Sequence, residues 1–230
     1  MIKINGNCID IGKFPDGSML VKYDPSKHFT SGFVKLSWYY ENDREFLALM
    51  YLVKHFRAHG INNIYLYSTV SEALINNLYI YSPQSYIHRA INDVAKNLVN
   101  KRSLALFYPD SGSAKRYAHL TTNLPYAFGV KNRNWETGAI EGLSVIADED
   151  KCPIAGMDIL IVDDICSRGG TFYHSAKKLK ELGANDIYLY VSHCENTILE
   201  GELLDGDLIK KVYTTDSIFT KTHEKIEVLK

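Results

Sequence analysis

Short apolar runs alternate with segments of helical periodicity through the second half of this chain. Helices are predicted near residues 84–99, 113–122 and 171–182, with a short one at 196–204. The predicted strands between them are 103–108, 126–130, Asp158–Val162, Ile187–Ser192 and Lys210–Thr214. Strands that alternate with helices favour a parallel sheet covered by helices on both faces, so the sequence predicts an α/β fold.

The first part of the chain repeats this pattern more weakly. Residues 1–40 have turn signals between short strands, and Phe33–Tyr40 is predicted to be a strand. A helix is predicted from Asn42, because Asn42 and Glu45 have the spacing of a capping box. Ile64–Tyr67 then has the composition of a buried strand. We therefore divide the chain into an N-terminal half, 1–82, and a C-terminal half, 83–230.

Composition limits the partners this chain can have. The net charge is −1 and no basic stripe is present, which argues against a nucleic-acid partner. No apolar run approaches the roughly 18 residues of a membrane span, and the N-terminus does not resemble a signal peptide. The four cysteines form no Cys-x-x-Cys pair, so free thiols in a reducing cytoplasm are expected rather than zinc ligands.

The most specific signal is a strand that runs into two carboxylates, a small-residue turn and a helix. Ligands of parallel sheets bind beyond the carboxyl ends of the strands, and a helix start offers unpaired N–H groups to a phosphate. Gly169 and Gly170 would let the main chain approach phosphate oxygens, and Thr171 could add a hydroxyl donor. Asp163 and Asp164 would then face ribose hydroxyls or hold Mg²⁺ through water. The alternative is an ordinary strand-to-helix turn.

This segment resembles the ribose-phosphate loop of type I phosphoribosyltransferases and of ribose-phosphate diphosphokinases. The resemblance implies a phosphoribosyltransferase-like fold of two tandem related domains, of which the N-terminal one is shortened. It also implies that the ribose-phosphate ligands are Asp163, Asp164, Cys166, Ser167, Arg168, Gly169, Gly170 and Thr171.

Other segments favour the diphosphokinases. Tyr108–Arg116 resembles their Pro-Asp-x-Gly-Gly-x-Lys-Arg segment, which implies that Asp110 holds Mg²⁺. Lys131 and Arg133 lie where that family carries a catalytic Lys-x-Arg on a mobile loop. We accordingly expect 132–142 to close as a lid with hinges at Gly138 and Gly142.

The N-terminal turn carries a further part of the resemblance. Phe14, Asp16 and Ser18 match a turn that contacts the nucleotide of a neighbouring subunit in that family, which implies a homo-oligomer. Ser18 replaces the family's Glu there, so one nucleotide contact is expected to differ.

The resemblance implies a specific reaction. The β,γ-diphosphate of ATP, the co-substrate, would pass to the C1 hydroxyl of a ribose 5-phosphate group with Mg²⁺ as cofactor, and AMP would leave. Small phosphorylated sugars or nucleotides are therefore the expected partners. Two alternatives stay open, a phosphoribosyltransferase and a non-catalytic regulatory homologue.

Two departures from the family pattern bear on the substrate. Ser167-Arg168 replaces an Asp-Thr pair, and the Arg168 guanidinium could accept a more negative ligand such as ADP-ribose, which a similar viral branch uses. Arg168 could instead point to solvent. A stretch with ATP and Mg²⁺ ligands is also missing between Tyr67 and Ser68; either the protein lacks this stretch or the sequence omits it.

Overall fold

The computed structural model describes residues 2–4, 7–8, 10–13, 19–22, 33–38, 43–61, 63–68, 84–99, 103–118, 124–133, 140–148 and 150–229. The chain divides into two compact units, Met1–Ser85 and Tyr86–Lys230. None of the helices within these ranges is long and apolar enough to cross a membrane.

The first unit contains a four-stranded sheet and a separate β-ribbon. The strands are β1 (Ile2–Ile4), β2 (Asn7–Cys8), β3 (Asp10–Lys13), β4 (Met19–Lys22), β5 (Phe33–Trp38) and β6 (Asn63–Ser68). The sheet order is β2-β1-β5-β6, and β3 pairs with β4 alone. Helix α1 (Asp43–Ala58) connects β5 to its parallel neighbour β6 and buries Leu49, Leu52 and Phe56. The predicted helix and both predicted strands around it are confirmed.

The second unit is built on a seven-stranded sheet of order β13-β12-β11-β10-β7-β8-β9. Its strands are β7 (Leu104–Tyr108), β8 (Tyr126–Arg133), β9 (Ile140–Ala147), β10 (Asp158–Cys166), β11 (Ile187–Cys194), β12 (Lys211–Thr215) and β13 (Ile226–Leu229). Its helices are α2 (Gln84–Val99), α3 (Ser111–Tyr117), α4 (Gly170–Glu181) and a 3₁₀ helix at Asn196–Glu200. All neighbouring strands are parallel except β8 and β9, which confirms the predicted α/β class.

Both faces of this sheet are buried in apolar cores. One core contains Phe107 and Ile161 and packs against α4, while the other contains Leu106 and Leu160 and packs against α2. Central strands that are covered on both faces read as continuous apolar runs, which is why they were recognisable in the sequence. In β10 burial is complete over 158–162 and decreases from Asp163, where the strand leaves the core.

Several boundaries differ from the sequence prediction. Helix α3 begins before residue 113 because Asp110 caps its N-terminus, and it ends at Tyr117, with Ala118 as the C-cap residue. Two edge strands, β9 and β13, were not predicted; both are only partly buried and so lack a continuous apolar run. Gly142 lies inside β9 opposite Asn132, near the register shift between Asn132 and Arg133, and its role as a lid hinge stays a prediction. Gly138 lies outside the described residues.

Candidate ribose-phosphate site

The site lies where β10 extends past its neighbour. Strand β10 pairs with β7 only as far as Ile161, opposite Phe107, but it pairs with β11 as far as Cys166, opposite Cys194. The last residues of β10 therefore have a strand on one side only. Asp163 and Asp164 emerge at this carboxyl edge, where ligands of parallel sheets bind.

A tight turn carries the chain from β10 into α4. Gly169 is the N-cap residue and has a left-handed φ of 82°. A Cβ atom on Gly169 would lie 2.8 Å from Leu203 Cδ2, so a larger residue would meet both backbone strain and a close contact. At Gly170 a Cβ atom would meet nothing within 4 Å. The main chain at Gly170 is therefore open to a ligand.

The turn and the helix start form a pocket of about 300 Å³. It is lined by Asp163, Ile165, Ser167, Arg168, Gly169, Gly170, Thr171 and Phe172. The first helical hydrogen bond of α4 runs from the Tyr173 N–H to the Gly169 carbonyl, 2.9 Å. Within α4 and its described surroundings no side chain caps the N-terminus, so its first N–H groups can serve a phosphate.

Asp163 combines burial with negative neighbours. Burial raises the pKa of its carboxyl to about 7, and the charges of Asp164 and Asp110 contribute in the same direction. The Asp164 N–H donates to Asp163 Oδ1 at 2.9 Å, which opposes part of this rise. Near neutral pH the Asp163 carboxyl therefore exchanges between its protonated and ionised forms.

Asp164 does not line the pocket and instead pairs with a residue of α3. Its Oδ2 accepts a hydrogen bond from Nη1 of Arg116. Burial alone would lower the pKa of Arg116, but the charges of Asp164 and Asp163 outweigh it and raise the pKa overall. Arg116 was not among the predicted site residues. The only signal for it was its place at the end of the Pro-Asp segment.

Asp110, the predicted Mg²⁺ ligand, is the N-cap residue of α3. Its Oδ1 accepts from the Ser113 N–H at 3.0 Å, and Ser113 Oγ accepts from the Asp110 N–H at 3.3 Å. These two bonds form a capping box and fix the carboxylate at the carboxyl end of β7. No group of three metal-ligating side chains is present among the described residues.

Arg168 lines the pocket and also forms an ion pair with the 3₁₀ helix. Its Nη2 donates to Glu200 Oε2 at 3.0 Å, and the Arg168 and Glu200 side chains are 71% and 58% exposed. The main chain of Arg168 also contacts this segment, because a Cβ atom on Gly201 would lie 1.9 Å from the Arg168 carbonyl oxygen. No motif in the sequence indicated a role for Glu200.

Cys166, an expected ligand, and His193, at the end of the neighbouring strand, both have buried side chains. Cys166 is 1% exposed, and its thiol points to the Ser167 carbonyl at 3.5 Å rather than into the pocket. His193 is fully buried, and its Nδ1 lies 2.9 Å from Ser217 Oγ. Burial lowers the pKa of His193 to about 4, so it is a neutral structural histidine at neutral pH.

For two of the remaining predicted residues, Lys131 and Arg133, the structure describes the backbone only. Lys131 and Arg133 belong to β8, opposite Leu143 and Ile140 of β9, with a register shift between Asn132 and Arg133. They follow the part of β8 that runs parallel to β7, at the sheet edge where Asp163 emerges. Phe14, Asp16 and Ser18 lie outside the described residues.

Comparisons with known proteins point to one group of enzymes. The chain is 29% identical to the ribose-phosphate pyrophosphokinase of Hyphomonas neptunium over 136 residues, which cover 57% of this chain and 41% of that protein. It is 33% identical to the enzyme of the same name from Bradyrhizobium diazoefficiens over 112 residues, or 48% of this chain and 33% of that protein. The matches thus span less than half the length of these curated relatives. No protein-family model matches.

A solved structure confirms the fold. The phosphoribosylpyrophosphate synthetase of Mycobacterium smegmatis matches 96% of this chain and 85% of its own, with a TM-score of 0.56 and 15% sequence identity. These matches confirm the resemblance to the ribose-phosphate diphosphokinases, for which pyrophosphokinase is another name, and the phosphoribosyltransferase-like fold.

Proposed function

We propose that this chain transfers the β,γ-diphosphate of ATP to the C1 hydroxyl of a ribose 5-phosphate group and releases AMP. The observation that carries the proposal is the pocket at the end of β10, where a left-handed Gly169 opens an uncapped helix start beside Asp163. The similarity to ribose-phosphate pyrophosphokinases supports this choice among reactions of sugar phosphates.

The sugar phosphate would bind with its 5′-phosphate at the start of α4. The N–H groups of Gly169 and Gly170 and the hydroxyl of Thr171 would donate to phosphate oxygens, helped by the positive end of the helix dipole. Asp163 would accept hydrogen bonds from the ribose hydroxyls in its ionised form. Asp164, paired with Arg116, would stabilise the end of β10 rather than contact the sugar.

The acidic edge of the sheet suits a divalent cation. Repulsion from Asp164 and Asp110 contributes to the raised pKa of Asp163, and a nearby Mg²⁺ would relieve that repulsion. Asp110 and Asp163 would hold the ion, partly through water, since Mg²⁺ keeps several waters and few protein ligands. Such an ion supplies charge neutralisation for the diphosphate during transfer.

Lys131 and Arg133 would stabilise the charge of the transferred group. Diphosphate transfer depends on positioning and charge neutralisation and needs no covalent enzyme intermediate. The backbone of β8 is consistent with this role, because it ends at the same edge as β10. Phe14, Asp16 and Ser18 of a neighbouring subunit would complete the nucleotide site in a homo-oligomer.

ADP-ribose is the second candidate acceptor. The observation in its favour is that Arg168 lines the pocket, where a guanidinium could bind the additional phosphate of a 5′-diphosphate. The ion pair between Arg168 and Glu200 offsets part of this charge.

One assay tests the reaction and both acceptors. The chain is incubated with ATP and Mg²⁺ and either ribose 5-phosphate or ADP-ribose, AMP release is followed, and kcat/KM is compared. Arg168→Thr should lower kcat/KM more for ADP-ribose if that is the acceptor. Absence of AMP with both acceptors would contradict the proposal. Consumption of phosphoribosyl diphosphate with a free base would indicate a phosphoribosyltransferase, and ligand binding without turnover a regulatory homologue.

A further inference from the structure

Arg168 is attached to the 3₁₀-helix segment at two points. Its main-chain carbonyl packs against Gly201, where no side chain would fit, and its guanidinium pairs with Glu200. Gly169 is packed in the same way against Leu203. The segment 200–203 therefore positions two consecutive residues of the loop, Arg168 and Gly169. Among the described residues, Glu200 is the only acidic residue of this segment that contacts the loop.

The ion pair is of a kind that a ligand can displace. The Arg168 guanidinium bonds to Glu200 through Nη2, whereas a guanidinium has five N–H donors in all. Both side chains are more than half exposed, and exposed ion pairs are weak because water screens them. A phosphate can compete for Arg168, since it can accept two parallel N–H bonds from the same guanidinium, whereas one such bond joins Arg168 to Glu200.

We propose that Glu200 is a specificity-determining residue that sets how strongly the loop favours a second phosphate. While Glu200 is paired with Arg168, the charges of these two side chains offset each other beside the pocket. The ion pair would have little effect on the affinity for a monophosphate that is bound by the main-chain N–H groups. A diphosphate that extends toward Arg168 would have to compete with Glu200. This inference rests on the proposed function only in taking the pocket as a sugar-phosphate site.

The test measures binding with a matched pair of variants. Glu200→Gln removes the carboxylate next to Arg168, and Glu202→Gln removes the same charge from an exposed side chain two residues further on that does not line this pocket. Titration calorimetry with ribose 5-phosphate and with ADP-ribose, at low ionic strength, gives the two Kd values for each protein. Circular dichroism and the Tm establish that each variant is folded.

We expect Glu200→Gln to bind ADP-ribose about two- to fivefold more tightly and to change the Kd of ribose 5-phosphate less. Glu202→Gln should leave the ratio of the two Kd values unchanged, and Glu200→Asp should stay near the original chain. The gain should disappear when Arg168→Thr is combined with Glu200→Gln, and it should decrease in high salt.

Three results would overturn the inference: equal changes for both ligands, the same shift in Glu202→Gln, or a gain that persists without Arg168. Its failure is distinct from that of the proposed reaction, because binding is measured without ATP. A chain that releases no AMP but shows the expected Kd shift would refute the transfer reaction alone. If neither ligand bound to the original chain, both the pocket assignment and the role of Glu200 would be wrong.

Discussion

At the scale of single residues, neighbouring side chains in the site have opposite environments. Asp163 is half-buried beside other carboxylates, whereas Asp164 at the next position has the guanidinium of Arg116 as a partner. Successive residues of a strand point to opposite faces, so one step along β10 separates a carboxyl that titrates near neutrality from one held in an ion pair. This difference favours Asp163 as the ligand-facing group.

The raised pKa of Asp163 predicts a pH-dependent stability. The folded chain keeps the proton of the Asp163 carboxyl up to about pH 7, whereas the unfolded chain releases it near pH 3.8. The contribution of this proton to the free energy of unfolding is therefore complete below about pH 4 and is lost as the pH rises through 7. Asp163→Asn should match the original chain near pH 4 and exceed it by about 1–3 kcal/mol at pH 8. Urea unfolding between about pH 4 and pH 8 measures this difference in the free energy of unfolding. Asp207→Asn, at an exposed position, is the control. A pH-independent difference would contradict the assignment.

Substitutions at the two loop glycines should distinguish an effect on stability from an effect on ligand binding. Gly169→Ala combines a left-handed φ with a Cβ atom 2.8 Å from Leu203, so it should cost about 1–3 kcal/mol of stability and displace the loop. Gly170→Ala meets no atom within 4 Å and should leave the Tm unchanged or raise it. Its methyl group would nevertheless hinder close approach of a phosphate and weaken ribose 5-phosphate binding severalfold. Unchanged binding in Gly170→Ala would argue against a main-chain phosphate site there.

At the scale of elements, two short helices hold the end of β10 from different directions. Helix α3, capped by Asp110, presents Arg116 to Asp164, and the 3₁₀ helix presents Glu200 to Arg168. The loop between β10 and α4 is thus positioned by elements that do not adjoin it in sequence. A loop with external supports on both flanks can keep a pocket in shape before the ligand binds.

Breaking the contact between α3 and β10 should destabilise the site. Arg116→Met leaves the Asp164 carboxylate half-buried and without this ion pair, next to Asp163, which should cost about 1–2 kcal/mol. Lys115→Met, at an exposed neighbouring position, should have almost no effect. Chemical denaturation of both variants checks this. If Asp164→Asn failed to restore stability to Arg116→Met, the ion pair would not be the cause.

At the scale of the whole molecule, the second unit contains a complete sheet with a core on each face. The proposed sugar-phosphate pocket and the ion pairs beside it lie entirely within this unit. A unit of this size with its own two-sided core can fold independently. The ATP contacts expected at Phe14, Asp16 and Ser18 belong to the other unit.

A fragment of residues 84–230 should therefore separate sugar-phosphate binding from diphosphate transfer. We expect it to unfold cooperatively and to bind ribose 5-phosphate with a Kd close to that of the full chain, but to release no AMP from ATP. Near-UV circular dichroism, calorimetry and the AMP assay measure these three properties. A folded fragment that fails to bind ribose 5-phosphate would show that the first unit contributes to the sugar site.

The sequence by itself determined the order of the buried strands and the helices between them, and the location of the glycine-containing turn between β10 and α4. These features depend on interactions that are local in the chain. The two-sided burial of β7, β10 and β11 required continuous apolar runs, and the turn into α4 required a residue such as Gly169 that tolerates positive φ. Apolar runs and glycines at tight turns can both be recognised directly in an amino-acid sequence.

Only the tertiary structure decided which distant residues support the loop. Arg116 and Asp164 are 48 residues apart, and Arg168 and Glu200 are 32 apart. Their contacts depend on the order β11-β10-β7, which places α3 and the 3₁₀ helix on either side of the same strand end. The sequence does not identify the ion-pair partner of a charged side chain on an amphipathic or irregular segment, because that partner is set by the order of strands in the sheet and not by spacing along the chain.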